Sequence, residues 1–317
     1  MTTTAKSNPA TLVVTEHDPV PPGAHTEWLT ARDGTRFRVA RFSGPDTSRG
    51  TAVILNGRSE FIEKYFETVG DLLERGYAVA TLDWRGQGHS DRALDNPHKG
   101  HVEDFDLFVS DLQQTFASFI EPNCPAPYRA LCHSMGGNIG LRYLAEYPGV
   151  FESVVFSAPM WGIGRSVQPA LWMRGVAAAT DWFGLHERYL PGGRNYHEDD
   201  RVFEKNVLTQ DPDRFARFVA QSDAEPALRL GSPTLGWVYE AFRSIDAIHA
   251  PGFAEAIETP ICVCSAGRDT LVSGEAHRLV VERLPQGQLV EVPDARHELL
   301  MELNRHRDRF WAAFDAM

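Results

Sequence analysis

Short, nearly continuous apolar runs alternate along the chain with longer stretches whose apolar residues recur every three or four positions, a pattern that predicts strands and helices in turn. HTEWLTARDGTRFRVARF, from residue 25, reads as two strands around a turn at Asp33 and Gly34. TAVILN at 51–56 is apolar enough for an interior strand and leads, through a loop holding Gly57, into the helix-like IEKYFETVGDLLERG. YAVATLDWRGQG repeats the theme of an apolar strand ending in polar loop residues. A helix is predicted over about 101 to 120, a strand over about 128 to 133 in YRALCHS, a helix in GGNIGLRYLAEYP and a strand in FESVVFSAP. Such alternation predicts a mostly parallel sheet with helices on both faces, because each strand face must be buried against another layer.

After Pro159 the rhythm changes. From 160 to 250 the chain holds WGIGRS, an aromatic and alanine-rich run, the loop LPGGRNYHEDD, and amphipathic stretches near 211–223 and 234–248. This predicts a mainly helical insertion, or cap, dividing the core into 24–159 and 251–317. Sheet grammar then returns with TPICVCSAG, SGEAHRLVVERLP, QLVEVP and a terminal helix over about 297–315. The early GxGxxG of a dinucleotide-binding fold is missing, and no repeat period accounts for the chain.

With 317 residues, 43% apolar and 23% charged, the chain can bury one large core, which excludes a disulfide-held peptide or a disordered segment. A formal charge of −12 argues against extensive nucleic-acid binding. Cys124, Cys132, Cys262 and Cys264 lack CxxC spacing and read as buried apolar residues in a reducing compartment, the last two on one face of a strand. The N-terminal stretch has no basic segment leading into a signal-peptide core, and no apolar run is long enough to span a bilayer. A cytoplasmic location follows as the expectation, with peripheral contact at the inner membrane left open.

The most informative residues are CHSMGG at 132–137. A strand before and a helix after place Ser134 on a sharp turn that lifts its hydroxyl above the sheet edge, as in the GxSxG nucleophile elbow, with Cys132 at the first glycine position. Cys132 is expected to pack and take no chemical step. A serine hydroxyl needs a base, and the base a third group to fix its tautomer. Asp269 in AGRDTLVS and His297 in PDARHELL each follow a predicted strand and supply both in the order Ser, Asp, His. Asp294, a rival acid closer to His297 in sequence, reads as a turn former. His133 reads as packing behind the elbow, Asp83, Arg85 and His89 as organisers of their loop, His101 as a cap or packing residue, and Glu60 as a loop support.

LNGRSEF, LDWRGQGHSDR, CHSMGG, AGRD and RHE, in that order over about residues 24–315, resemble the serine α/β-hydrolases, in particular their bacterial lysophospholipase and monoacylglycerol-lipase branch. The resemblance implies Ser134 as nucleophile, Asp269 as triad acid, His297 as base, and an oxyanion hole from the backbone N–H groups of Arg58 and Met135. Monoacylglycerol lipases typically show HGxGE where this chain has Asn56, Gly57, Arg58, Ser59 and Glu60. The implied reaction is hydrolysis of a single-acyl lipid, a lysophospholipid or a monoacylglycerol, through an acyl-serine. It requires no cofactor, and no cluster suggests a catalytic metal. The implied partner is thus a small amphipathic acyl ester, not a nucleic acid, and nothing in the residues fixes an oligomeric state.

Large apolar side chains recover area from water when a hydrocarbon chain binds. Trp161, Trp172, Met173, Trp182, Phe183 and Tyr189 are therefore the candidate acyl-pocket residues, with packing between cap helices as their other role. The same triad serves a general esterase, a thioesterase or a peptidase of the proline-iminopeptidase type. A hydrolase-fold binding protein is the non-enzyme alternative, and the complete Ser, Asp and His set argues against it. Dehalogenase and epoxide-hydrolase relatives carry Asp where this chain has Ser134.

Overall fold

The computed structural model describes residues 10–16, 18–164 and 184–317. Eight strands form one sheet: β1 (His25–Thr30), β2 (Arg36–Phe42), β3 (Thr51–Leu55), β4 (Ala78–Leu82), β5 (Tyr128–His133), β6 (Ser153–Ser157), β7 (Ile261–Ala266) and β8 (Gly287–Val292), in the order β1-β2-β4-β3-β5-β6-β7-β8. The hairpin β1-β2 and the β2-β4 pair are antiparallel, and every other neighbouring pair is parallel. Every residue of β3, β4, β6 and β7 is buried, as expected where helices cover both faces and the strands are continuously apolar rather than alternating.

Helices α1 (Phe66–Glu74), α2 (Asp106–Thr115), α3 (Ser134–Glu146), α4 (Pro212–Ala224), α5 (Leu235–His249), α6 (Gly274–Val281) and α7 (Asn304–Asp315) flank the sheet or cover its carboxyl edge. Two cores result. Ile54, Val69, Leu131, Cys262, Cys264, Phe310 and Trp311 share one, and Val53, Leu55, Cys132, Ile139, Phe156 and Val263 share the other. Successive residues of one strand thus feed opposite layers. Cys262 and Cys264 do share a face, and all four cysteines are free and buried.

Two predicted helices begin later than their apolar periodicity suggested. Residues 101–105 precede α2 because His101 Nδ1 bonds Thr234 Oγ1 at 2.8 Å, tying this stretch to the start of α5. The terminal helix begins at Asn304, since residues 297–301 form the loop and short turn that carry His297.

The segment 160–250 divides in character. Its last helix, α5, buries Ala241, Phe242, Ile245 and Ile248 in the same core as α3, and Ser244 Oγ donates to Asn138 Oδ1. Its helix α4 lies over the start of α1, stacking Phe218 on Phe61 at 5.7 Å and holding Glu67 through Arg214 and Arg217. Between residues 198 and 205 there are only two short turns. Among the described residues no helix is long and apolar enough to cross a membrane.

Candidate active site

Three strands end within reach of one point. Ser134 leaves β5 with φ +50°, a left-handed conformation that a serine rarely adopts and that turns its hydroxyl out of the strand path. The turn is possible because α3 starts hard against β3: a Cβ on Gly136 would stand 2.1 Å from the Leu55 carbonyl oxygen, and one on Gly137 would stand 2.6 Å from Pro159 Cβ. Cys132 is fully buried beneath α3, where a Cβ on Gly140 would meet its Sγ at 2.9 Å. Its thiol faces the helix, and burial pushes its pKa well above the ordinary value.

His297 Nε2 lies 3.0 Å from Ser134 Oγ, and His297 Nδ1 lies 2.7 Å from Asp269 Oδ2. The other carboxylate oxygen of Asp269 accepts the backbone N–H groups of Leu271 at 2.7 Å and Val272 at 3.1 Å. Asp294 is exposed, and its backbone carbonyl accepts a bond from Gln210. The geometry therefore joins Asp269, and not Asp294, to the imidazole.

Burial pulls the His297 pKa down, but the hydrogen bond and charge of Asp269, with Glu298 and Glu60 nearby, outweigh it and leave the ring above its ordinary 6.5. Asp269 is opposed by burial as well, yet His297 and the two amides hold it below the usual carboxylate range. The base form of His297 thus fills as pH rises through a value above 6.5. On a non-ionising ester, kcat/KM should climb across that interval, and Asp269→Asn should move the ascending limb to lower pH. A pH profile of wild type and variant checks both directions.

Arg58 lines the same cavity as Ser134, and Met135 follows Ser134 in the chain. Met135 lies in the first turn of α3, whose N–H groups have no acceptor within the helix. The loop carrying Arg58 is fixed from below by Gln87, whose amide donates to the Gly57 carbonyl at 2.7 Å and the Glu60 carbonyl at 3.0 Å and accepts from Ser59 N at 3.2 Å. Glu60 accepts the Gly57 N–H and the Tyr65 hydroxyl. Asp83 holds Arg38 and the backbone N–H groups of Ile62 and His89, and Arg85 pairs with Asp111 and Asp33. The DWRGQGHS segment thus works as a brace for the loop after β3.

Sequence reasoning missed one buried cluster. Lys64 Nζ bonds both Glu60 and Glu298, and His133 Nε2 stands 3.7 Å from the first carboxylate and 3.5 Å from the second. Burial pushes the His133 pKa down to about 3, so it is neutral, and its Nδ1 meets the Ser157 carbonyl at 3.0 Å. Glu60, His133 and Glu298 have ligand atoms within 4.8 Å of one another, as a metal site would need. The Lys64 ammonium already binds both carboxylates, however, and takes the place that a cation would fill. The Glu60 and Lys64 spacing of four residues was the available signal.

A cavity of about 320 Å³ opens over Ser134 and His297. Its apolar lining comes from Met160, Ile163, Leu208, Phe218, Trp237, Leu271 and Val272, and its polar lining includes Arg58, Ser59, Glu60, Lys64 and Glu298. Two sequence-based acyl-pocket candidates lie elsewhere. Trp161 is fully buried, packed on Phe156 and His277 with its Nε1 donating to the Gly137 carbonyl at 3.0 Å, because its position just past β6 carries it under α3. Tyr189 is outside the cavity wall, with its hydroxyl on Asn195 and its ring under Lys99. Trp172, Met173, Trp182 and Phe183 lie outside the described residues.

The sequence profile described as serine aminopeptidase, S33, matches residues 46–304. Lysophospholipase L2 of Escherichia coli (strain K12) is 32% identical over 288 residues, covering 88% of this chain and 83% of that protein. The monoacylglycerol lipase of Mycolicibacterium smegmatis is 28% identical, covering 81% of this chain and 85% of its own. Among solved structures, a soluble variant of monoglyceride lipase from Saccharomyces cerevisiae superposes with a TM-score of 0.70 at 17% identity, covering 98% of this chain and 97% of that one. That last likeness concerns the fold.

Proposed function

This chain belongs to the serine aminopeptidase S33 family of α/β hydrolases and is a lipid ester hydrolase, and we propose that it cleaves a single-acyl lipid through an acyl-enzyme formed on Ser134. The observation that carries the catalytic assignment is the continuous line of hydrogen bonds from Ser134 Oγ through His297 to Asp269.

In this reading Ser134 Oγ attacks the acyl carbonyl as His297 Nε2 takes its proton. The N–H groups of Arg58 and Met135 receive the negative charge that develops on the carbonyl oxygen. His297 returns the proton to the departing glycerol oxygen. A water molecule then gives a proton to His297 as it attacks the acyl-serine, and the fatty acid leaves. Asp269 stays ionised throughout, holding the Nδ1 proton and stabilising the imidazolium.

The names of the relatives support the single acyl chain, and so does the cavity's apolar wall. The segment 160–250 acts as the cap, contributing Met160, Ile163, Leu208, Phe218 and Trp237 to that wall. The peptidase alternative gains little, because Glu60 and Glu298, the acids that would greet a substrate amine, are both held by Lys64. A reducing cytoplasm fits the four free cysteines, with the substrate met in solution or at the inner membrane surface.

Acyl length tests the substrate class. Each methylene moved from water into the apolar wall contributes about 0.8 kcal/mol, or roughly a fourfold preference per carbon when expressed in the transition state. Measured below micellar concentrations with one headgroup, kcat/KM should rise steeply with chain length. A maximum among the shortest acyl groups, with no cleavage of long-chain monoacylglycerol or lysophospholipid, would sink the lipid reading and leave a general esterase.

A further inference from the structure

Most cations buried around the site answer to carboxylates. Arg38 lies between Glu63 and Asp83, Arg85 faces Asp111, and Lys64 bridges Glu60 and Glu298. Arg58, which lines the catalytic cavity beside Ser134 and His297, does not. Its guanidinium donates to Ser59 Oγ at 3.1 Å and to the Gly231 carbonyl, and its Nε is buried without a hydrogen-bond partner. The Trp237 ring lies 5.4 Å beneath it. Among the described residues no carboxylate pairs with it. Burial lowers its pKa to about 10, which leaves it charged at neutral pH.

The surroundings are shaped to hold this side chain. A Cβ on Gly100 would come within 2.6 Å of Arg58 Nη2 and 3.2 Å of Nε, so a side chain there would push the guanidinium out of its present position. The indole face and the Gly231 carbonyl hold it while supplying no neutralising charge. A desolvated cation without a counter-charge is unfavourable by itself and becomes favourable when an anion arrives with its own acceptors. A phosphodiester offers two such oxygens to the planar fork.

We propose that Arg58 binds the phosphate of a glycerophosphate headgroup, and that the enzyme is selective for lysophospholipid over monoacylglycerol. The proposal rests on the single-acyl-lipid reading and deepens it. In a lysophospholipid the phosphate and the scissile ester hang on the same glycerol, so an anion site on the loop that flanks the nucleophile is placed to receive one while the other is attacked. Arg58 would then serve twice, its N–H towards the oxyanion and its side chain towards the headgroup. A monoacylglycerol presents only a hydroxyl there and leaves the charge unanswered.

The test compares kcat/KM for lysophosphatidylcholine and monoacylglycerol of the same acyl chain, below their micellar concentrations, in wild type, Arg58→Gln and Arg58→Lys. Wild type should favour the phosphodiester. Arg58→Gln should lower the ratio of the two constants by about 10- to 100-fold, as loss of charge-assisted hydrogen bonds implies, with part of it restored in Arg58→Lys. As a second readout, sn-glycerol 3-phosphate should inhibit hydrolysis of a soluble short-chain ester competitively, and more weakly in Arg58→Gln than in wild type. Inorganic phosphate run beside it separates recognition of the glycerol-linked group from recognition of any phosphate: equal inhibition by the two would overturn the headgroup assignment. An unchanged ratio in Arg58→Gln, with both substrates slowed alike, would also overturn it while sparing the lipid reading. A wild type that cleaves soluble esters but neither lipid would remove both.

Discussion

Ser134→Ala should abolish covalent labelling of the protein by a fluorophosphonate and lower kcat by about 10⁶-fold, the scale on which nucleophile removal acts in serine hydrolases. The size follows from what remains. Without the Oγ there is no acyl-enzyme, and the Arg58 and Met135 amides can only polarise a carbonyl that water must attack unaided. Intact-mass measurement after labelling, with peptide mapping of the site, checks the assignment. A probe adduct on another serine, or a Ser134→Ala protein that still turns over a long-chain ester, would contradict it. Because the members of a triad act as a unit, adding Asp269→Asn to Ser134→Ala should cost little more.

Asp269→Asn alone should lower kcat by about 10⁴-fold, since an amide can present its N–H to Nδ1 and so stabilise the tautomer with its proton on Nε2. That proton would point at Ser134 Oγ, where a lone pair is needed. The Asn side chain can keep its bonds from Leu271 and Val272, so the loop after β7 should stay in place and thermal unfolding should change far less than turnover. Asp294→Asn is the companion measurement. Asp294 is exposed and apart from the imidazole, so its substitution should leave kcat close to wild type. A large loss there, with Asp269→Asn near full activity, would overturn the choice of acid.

Ser134, Asp269 and His297 could be found in the sequence because each follows an apolar run short enough to be a strand, and a parallel sheet brings such strand ends to one edge. Chain order then did the work that distance does in the structure. The cavity wall was harder to read. Phe218 and Leu208 reach the site from the segment after 184, and Leu271 and Val272 from the loop of the triad acid, so no local period marks them as neighbours. Counting aromatics pointed instead to Trp161, whose size makes it a good core filler just where α3 needs one. The Glu60, Lys64 and Glu298 cluster was hidden for a related reason. Its third member is 234 residues from the second, and a glutamate beside a catalytic histidine has no period of its own.

Lys64 joins the loop after β3 to the loop after β8, and the proposed chemistry divides between those loops: one carries Arg58, the other His297. Neither loop is free to drift while the ammonium holds a carboxylate of each. Among related sequences the three positions should therefore be inherited as a set. A neutral residue at 64 strands two buried acids, and loss of either acid leaves the ammonium with half its compensation. A lineage that abandons the bridge would have to replace all three charges, so intermediate combinations should be rare.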